Sequence, residues 1–120
     1  MTKEDVRREL AQLRRLSQNA DAVCRARERR RRRMELLHRK EDVAGEKAFS
    51  AYESEMDRLI DMEARYIAAG GNFEAFDRSI LLDCLIGGKT YRAFGEKNGY
   101  SAEGVRKRAK YIIEKLAEIL

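Results

Sequence analysis

Apolar residues at Val6, Leu10, Leu13, Ala20, Val23 and Cys24 recur at steps of three, four and seven along the first part of the chain. That spacing lines one narrow face of a helix, the seam of a coiled coil. The stripe lapses through Arg25, Arg27 and Arg29 to Arg33, then resumes at Met34 and Leu37. No residue in between breaks a helix, and arginine is a good helix former, so one long first helix is predicted. Gly45 is the only glycine of this half, and Val43, Ala44, Ala48 and Phe49 around it blur the seam, which places a turn there. A wider apolar face follows, made of Phe49, Tyr52, Met56, Leu59, Ile60, Met62, Tyr66 and Ile67, before Gly70 and Gly71. It predicts a second helix over 46–69 that ends where glycine commonly ends helices.

Beyond the double glycine the pattern tightens. Phe76, Ile80, Leu81, Cys84 and Leu85 mark a third helix closed by Gly87 and Gly88, and a short helix starts at Thr90. From Ser101 onward, Val105, Ala109, Ile112 and Leu116 fall on one face, which leaves Glu103, Arg106, Lys107 and Lys110 on the opposite one. The expected fold class is all-α: a long N-terminal helical arm over 1–69, read as an antiparallel coiled-coil hairpin, a linker over 70–76 and a three-helix unit over 77–120. If the arm did not fold back, its length at about 1.5 Å per residue would be roughly 100 Å.

Composition supports helices and limits the core. Charged residues make up 39% of the chain, and proline is absent. With 43% hydrophobic residues and no tryptophan, the core is modest, completed by helix pairing or by a second copy joined through the arm. The net charge of +5 conceals a segmentation: residues 1–40 hold 14 basic and 6 acidic side chains, 41–86 hold 4 and 11, and 87–120 hold 8 and 4. A fold-back near Gly45 brings the arginine cluster against Glu53, Glu55, Asp57 and Asp61. Seven arginines in nine residues also fit a phosphate backbone, but an acidic segment of matching length in the same chain makes internal pairing the favoured reading.

Several classes are set aside. No uncharged stretch approaches the roughly 20 apolar residues of a membrane span, and no signal-like segment opens the chain, so a cytoplasmic protein without a membrane partner is expected. Cys24 and Cys84 are sixty positions apart with one distant histidine, His38, an arrangement for neither a disulfide framework nor a zinc site. Gly87-Gly88-Lys89-Thr90 resembles the end of a phosphate-binding loop, but Asp83 stands where that loop needs a glycine. Asp83 and Cys84 could be read as a reactive pair, but a cysteine at an apolar position beside Leu85 reads as core. No catalytic constellation and no cofactor are expected.

The segment from Thr90 to Leu116 has the order of a two-helix unit: Thr90, Tyr91, Phe94, Gly95, Gly99, Ser101 and Val105. Ser101 suits a helix N-cap and Glu103 the positive end of the helix dipole. Gly99 permits a left-handed turn residue, and Gly95 lets two helix backbones approach closely. On these residues the stretch 77–120 resembles the region 4 helix-turn-helix of bacterial sigma-70-type factors. The whole layout is similar to small prophage-encoded sigma-like regulators and late-gene activators of the ArpU and RinA kind. The resemblance implies base reading through the first, second and fifth residues after the cap, here Ala102, Glu103 and Arg106. It also implies contact with RNA polymerase. Nothing resembles the aromatic-rich region that melts promoters, so an accessory regulator is implied.

Independently of any family, a short polar basic helix face fits the major groove of double-stranded DNA, where arginine reads guanine and glutamate accepts from cytosine. The expected roles are base reading by Glu103 and Arg106, phosphate contact by Lys107, Lys110 and Arg92, and capping by Ser101. The competing expectation is a coiled-coil interaction protein, such as a packaging adaptor, whose C-terminal unit binds protein.

Overall fold

The computed structural model describes residues 1–39 and 51–120. Among these residues all regular structure is helical: α1 (Lys3–Ser17), α2 (Ala20–Arg39), α3 (Ala51–Ala69), α4 (Ala75–Ile80), α5 (Tyr91–Asn98) and α6 (Ala102–Ile119). A wider π-type turn over Leu81–Ile86 prolongs α4. The turn expected at Gly45, with Val43, Ala44, Ala48 and Phe49, lies outside the described residues, and so do the side chains of Leu37, His38, Tyr52 and Glu53.

The arm folds back on itself. Arg27, Arg30 and Arg33 of α2 meet Glu63, Asp61 and Asp57 of α3 in that order, so partners descend along α3 as they ascend along α2, the sense of a hairpin. The longest dimension of the molecule is 55 Å, far below that of an unbroken arm. Two of the four expected acidic partners, Asp57 and Asp61, are engaged this way, while Glu55 turns to Arg58 of its own helix.

The first helix is not continuous, contrary to the pattern. It stops at Ser17, and the chain turns through Gln18 and Asn19, with the Asn19 amide donating back to the Leu16 carbonyl at 3.0 Å. Sequence alone offers no breaker here. The break is tied to a distant part of the chain: the Arg14 guanidinium donates to the Leu85 carbonyl (3.1 Å), and the single Ser17 hydroxyl proton is shared between the Ile86 carbonyl and that of Arg14 in its own helix (3.2 Å each). Carbonyls in a last helical turn have no partner within the helix, and α1 supplies donors to them. The apolar stripe also shifts after the break. Ala22, Val23 and Ala26 are buried, whereas Cys24 and Met34, expected on the seam, are exposed.

One core joins the elements. Val6, Leu10 and Leu13 of α1, Tyr66 of α3, Ile80, Leu81 and Leu85 of the α4 region, Phe94 of α5, and Val105, Ile112 and Leu116 of α6 are almost fully buried in a single cluster. Each such aliphatic side chain contributes about 1.5–3 kcal/mol through burial. The first helix therefore shares its core with the C-terminal helices. It runs along α6 in the opposite sense, with Lys3 at 3.7 Å from Glu114. Across its other flank, Glu9 accepts from the Tyr66 hydroxyl (2.8 Å) and pairs with Arg65.

Candidate nucleic-acid interface

Helices α5 and α6 each start at a side chain that satisfies a free backbone amide. The Thr90 hydroxyl accepts from the Ala93 amide at 3.1 Å and starts α5. Gly99 ends it at φ 79°, ψ 30°, a left-handed conformation that costs a residue with a Cβ about 1–2 kcal/mol. The Tyr100 amide then donates to the Gly95 carbonyl at 2.8 Å. A Cβ on residue 95 would run into the Tyr100 carbonyl oxygen, so the close approach that needs Gly95 is made by the connecting turn. Ser101 caps α6, its hydroxyl accepting from the Gly104 amide at 3.0 Å.

This corner is held from below. Phe76 of α4 packs its ring against Tyr100 in the turn (4.6 Å between centroids) and against Phe94 of α5 (6.0 Å). Asp77, the one buried charged residue among those described, receives both Nε and Nη2 of Arg108, at 2.6 and 2.7 Å. The guanidinium also lies 4.3 Å above the Tyr111 ring. This bidentate pair fixes α6 on α4, and sequence reading missed it. Its only signal is that Arg108 borders the apolar face that contains Val105 and Ala109.

With Val105, Ala109, Ile112, Ile113 and Leu116 turned inward, Ala102, Glu103, Arg106, Lys107 and Lys110 stand exposed on the other side of α6. Glu103 and Arg106 are not independent groups. The guanidinium donates through Nε (3.0 Å) and Nη2 to the two carboxylate oxygens. That hydrogen bonding holds the Glu103 carboxyl below its usual range and raises Arg106. Glutamate thus orients the arginine fork in the unbound protein. Lys107 and Lys110 have no ion-pair partner among the described residues.

The candidate site residues fall into two groups. Arg106, Lys107 and Lys110 line one cleft of about 330 Å³ together with Tyr91, Ile113 and Arg7 of α1. Glu103 joins them through Arg106, and Ser101 caps the helix that carries them. Arg92 is apart: it sits on α5, strongly exposed, with its Nε 3.3 Å from Glu96, and it does not line the cleft. Arg7 was not legible as a site residue, because only the packing of α1 on α6 brings it there.

The described residues hold no group of three metal-ligating side chains and no helix long and apolar enough to cross a membrane. Burial, then the neighbouring Asp83 carboxylate, pushes the Cys84 thiol up to about 11, which keeps it protonated at neutral pH and unreactive as a thiolate. Comparison with protein-family models, with curated proteins and with solved structures finds no match to this chain.

Proposed function

We propose that the protein binds duplex DNA as a helix-turn-helix regulator, with α6 as the recognition helix. The observation that carries this reading is the α5–α6 corner. Its turn is fixed by Gly95, Gly99 and Ser101, and it presents Arg106, Lys107 and Lys110 on one exposed face, the two lysines in no ion pair among the described residues although Lys107 lies within reach of the Glu103 charge. Arg106, oriented by Glu103, reads a base edge in the major groove, and Lys107 and Lys110 hold phosphates. The regulator role and RNA polymerase as a second partner rest on the resemblance of residues 77–120 to sigma region 4, and the phage or prophage setting on the similarity of the whole layout to small prophage-encoded sigma-like regulators.

The test is binding to a pool of random duplexes, followed by titration of a selected and a scrambled sequence at several salt concentrations. The selected duplex should bind more tightly, with an affinity that falls steeply as salt rises. Arg106→Ala should cost about 1–3 kcal/mol of preference for the selected sequence. Absence of duplex binding at low ionic strength would sink the reading.

A further inference from the structure

Arg7 lies outside every part of the chain that resembles a DNA-binding unit, yet its side chain lines the same cleft as Arg106, Lys107 and Lys110. Its position is fixed by its neighbours on α1. Val6 and Leu10 are fully buried, and Lys3, one helical turn earlier, approaches Glu114 of α6. The cleft is therefore built from three elements, α1, the start of α5 and α6, and no carboxylate lines it. Elsewhere on this surface arginines meet acids: Arg27 with Glu63, Arg30 with Asp61, Arg65 with Glu9. Here Arg7, Lys107 and Lys110 have no such partner among the described residues. Like charges gathered around one concavity repel one another, and an anion seated among them offsets that repulsion.

We propose that the cleft between α1 and α6 is a cradle for one backbone phosphate of the bound duplex, with Arg7 as the residue that closes it. The inference rests on the DNA-binding reading of α6 and adds to it a contact from the arm. The duplex backbone is the favoured source of the phosphate because the cleft is continuous with the exposed face: Arg106, Lys107 and Lys110 belong to both. Arg7 supplies a planar fork that can grip two phosphate oxygens, and Tyr91, which also lines the cleft, carries a hydroxyl that can donate. Such a contact sets register and affinity without reading sequence.

The experiment compares wild-type protein with Arg7→Ala, Arg7→Lys and Arg8→Ala, titrating a selected and a scrambled duplex by fluorescence anisotropy over a range of salt. Arg8 is a control on the same helix, paired with Asp5 and absent from the cleft. Arg7→Ala should weaken both duplexes by a similar factor, about fivefold at 0.15 M salt, and make the salt slope shallower by about 0.9, the value of one phosphate contact. Arg7→Lys should keep the slope, and Arg8→Ala should change nothing. An unchanged slope in Arg7→Ala, alongside a shallower one in Lys110→Ala, overturns the cradle while the DNA reading stands. A loss confined to the selected duplex makes Arg7 a base reader and also overturns it. Replacing chloride by inorganic phosphate at constant ionic strength should leave wild-type binding unchanged. Displacement by millimolar phosphate in wild type but not in Arg7→Ala would instead make the cleft a free-anion site. If the wild type binds no duplex at low salt, both readings fall together.

Discussion

Helices α2 and α6 both carry clustered cations, and the two clusters have opposite surroundings. On α2, Arg27, Arg30 and Arg33 each reach a carboxylate of α3, while Arg31 and Arg32 share Glu28 within their own helix. On α6 the cations divide. Arg108 turns inward to Asp77, and Arg106 is held by Glu103. Lys107 and Lys110 face outward beside Arg7, with no acid among the residues lining their cleft. The denser cluster is thus largely neutralised from within, and the sparser one is open to a partner. Positive charge in a sequence locates an electrostatic footprint only after the acids that fold against it have been subtracted.

The largest expected effect concerns the inward branch of α6. Arg108→Ala strips a nearly buried carboxylate, Asp77, of both its hydrogen bonds. Breaking a buried pair from one side costs about 3–5 kcal/mol. The half-exposed Arg108 side chain reduces that figure, and a loss of about 3 kcal/mol in unfolding free energy is expected from denaturant midpoints. Lys107→Ala, one position away but facing solvent, should stay within about 0.5 kcal/mol of wild type. Equal costs at the two positions would erase the division proposed within α6.

The next effect separates the two helices directly. Removing both Lys107 and Lys110 should make the salt slope of duplex affinity shallower by about 1.8 and weaken binding roughly thirtyfold at 0.15 M salt. Removing Arg27, Arg30 and Arg33 together should leave that slope unchanged. Their cost falls on stability instead: exposed pairs contribute about 0–1 kcal/mol each, and the part-buried Arg33–Asp57 pair adds to that, so about 2 kcal/mol in all is expected from thermal unfolding. A slope reduced by two or three units in the α2 variant would mean that these arginines leave α3 for phosphate, and the comparison would break.

Much of the α5–α6 corner was readable because its determinants are local. Ser101, Gly99 and Gly95 act on backbone groups a few residues away, so their identity and spacing announce the cap, the left-handed residue and the close approach. Charge complementarity of the arm was readable in outline: Asp57 and Asp61 take the roles expected of them, but Glu63, which pairs with Arg27, went unmarked. Apart from the local pairing of Glu103 with Arg106, the missed features depend on residues far apart in the chain. Asp77 and Arg108 are 31 positions apart, and the donors that end α1 at Ser17 find carbonyls about 70 positions later. Periodicity carried the first helix through Asn19 because no glycine or proline interrupts it there, although asparagine is a weak helix former that favours the cap position it takes before α2. The packing of α1 on α6, which brings Arg7 to the cleft, leaves no mark in either segment.

The smallest effect tests whether α1 serves both regions at once. Two residues separate Arg7, on the cleft, from Glu9, which holds α3 through the Tyr66 hydroxyl and Arg65. Burial, and after it the hydrogen bond to Glu9 and its negative charge, push the Tyr66 phenol well above its ordinary range. The folded protein therefore keeps the proton that the unfolded chain releases near pH 10, the usual value for tyrosine. The unfolded state then binds fewer protons than the native one, so stability falls as pH rises from about 10 towards the folded value. Below pH 9 this contribution is fully present. Tyr66→Phe should remove that alkaline dependence, so wild type minus variant should be constant at neutral pH and decline above pH 10 in thermal unfolding, while duplex affinity at neutral pH stays unchanged. A difference that remains flat to pH 11 would show that burial and Glu9 do not hold the phenol protonated, leaving the Glu9–Arg65 pair and the apolar seam as the ties between α1 and α3.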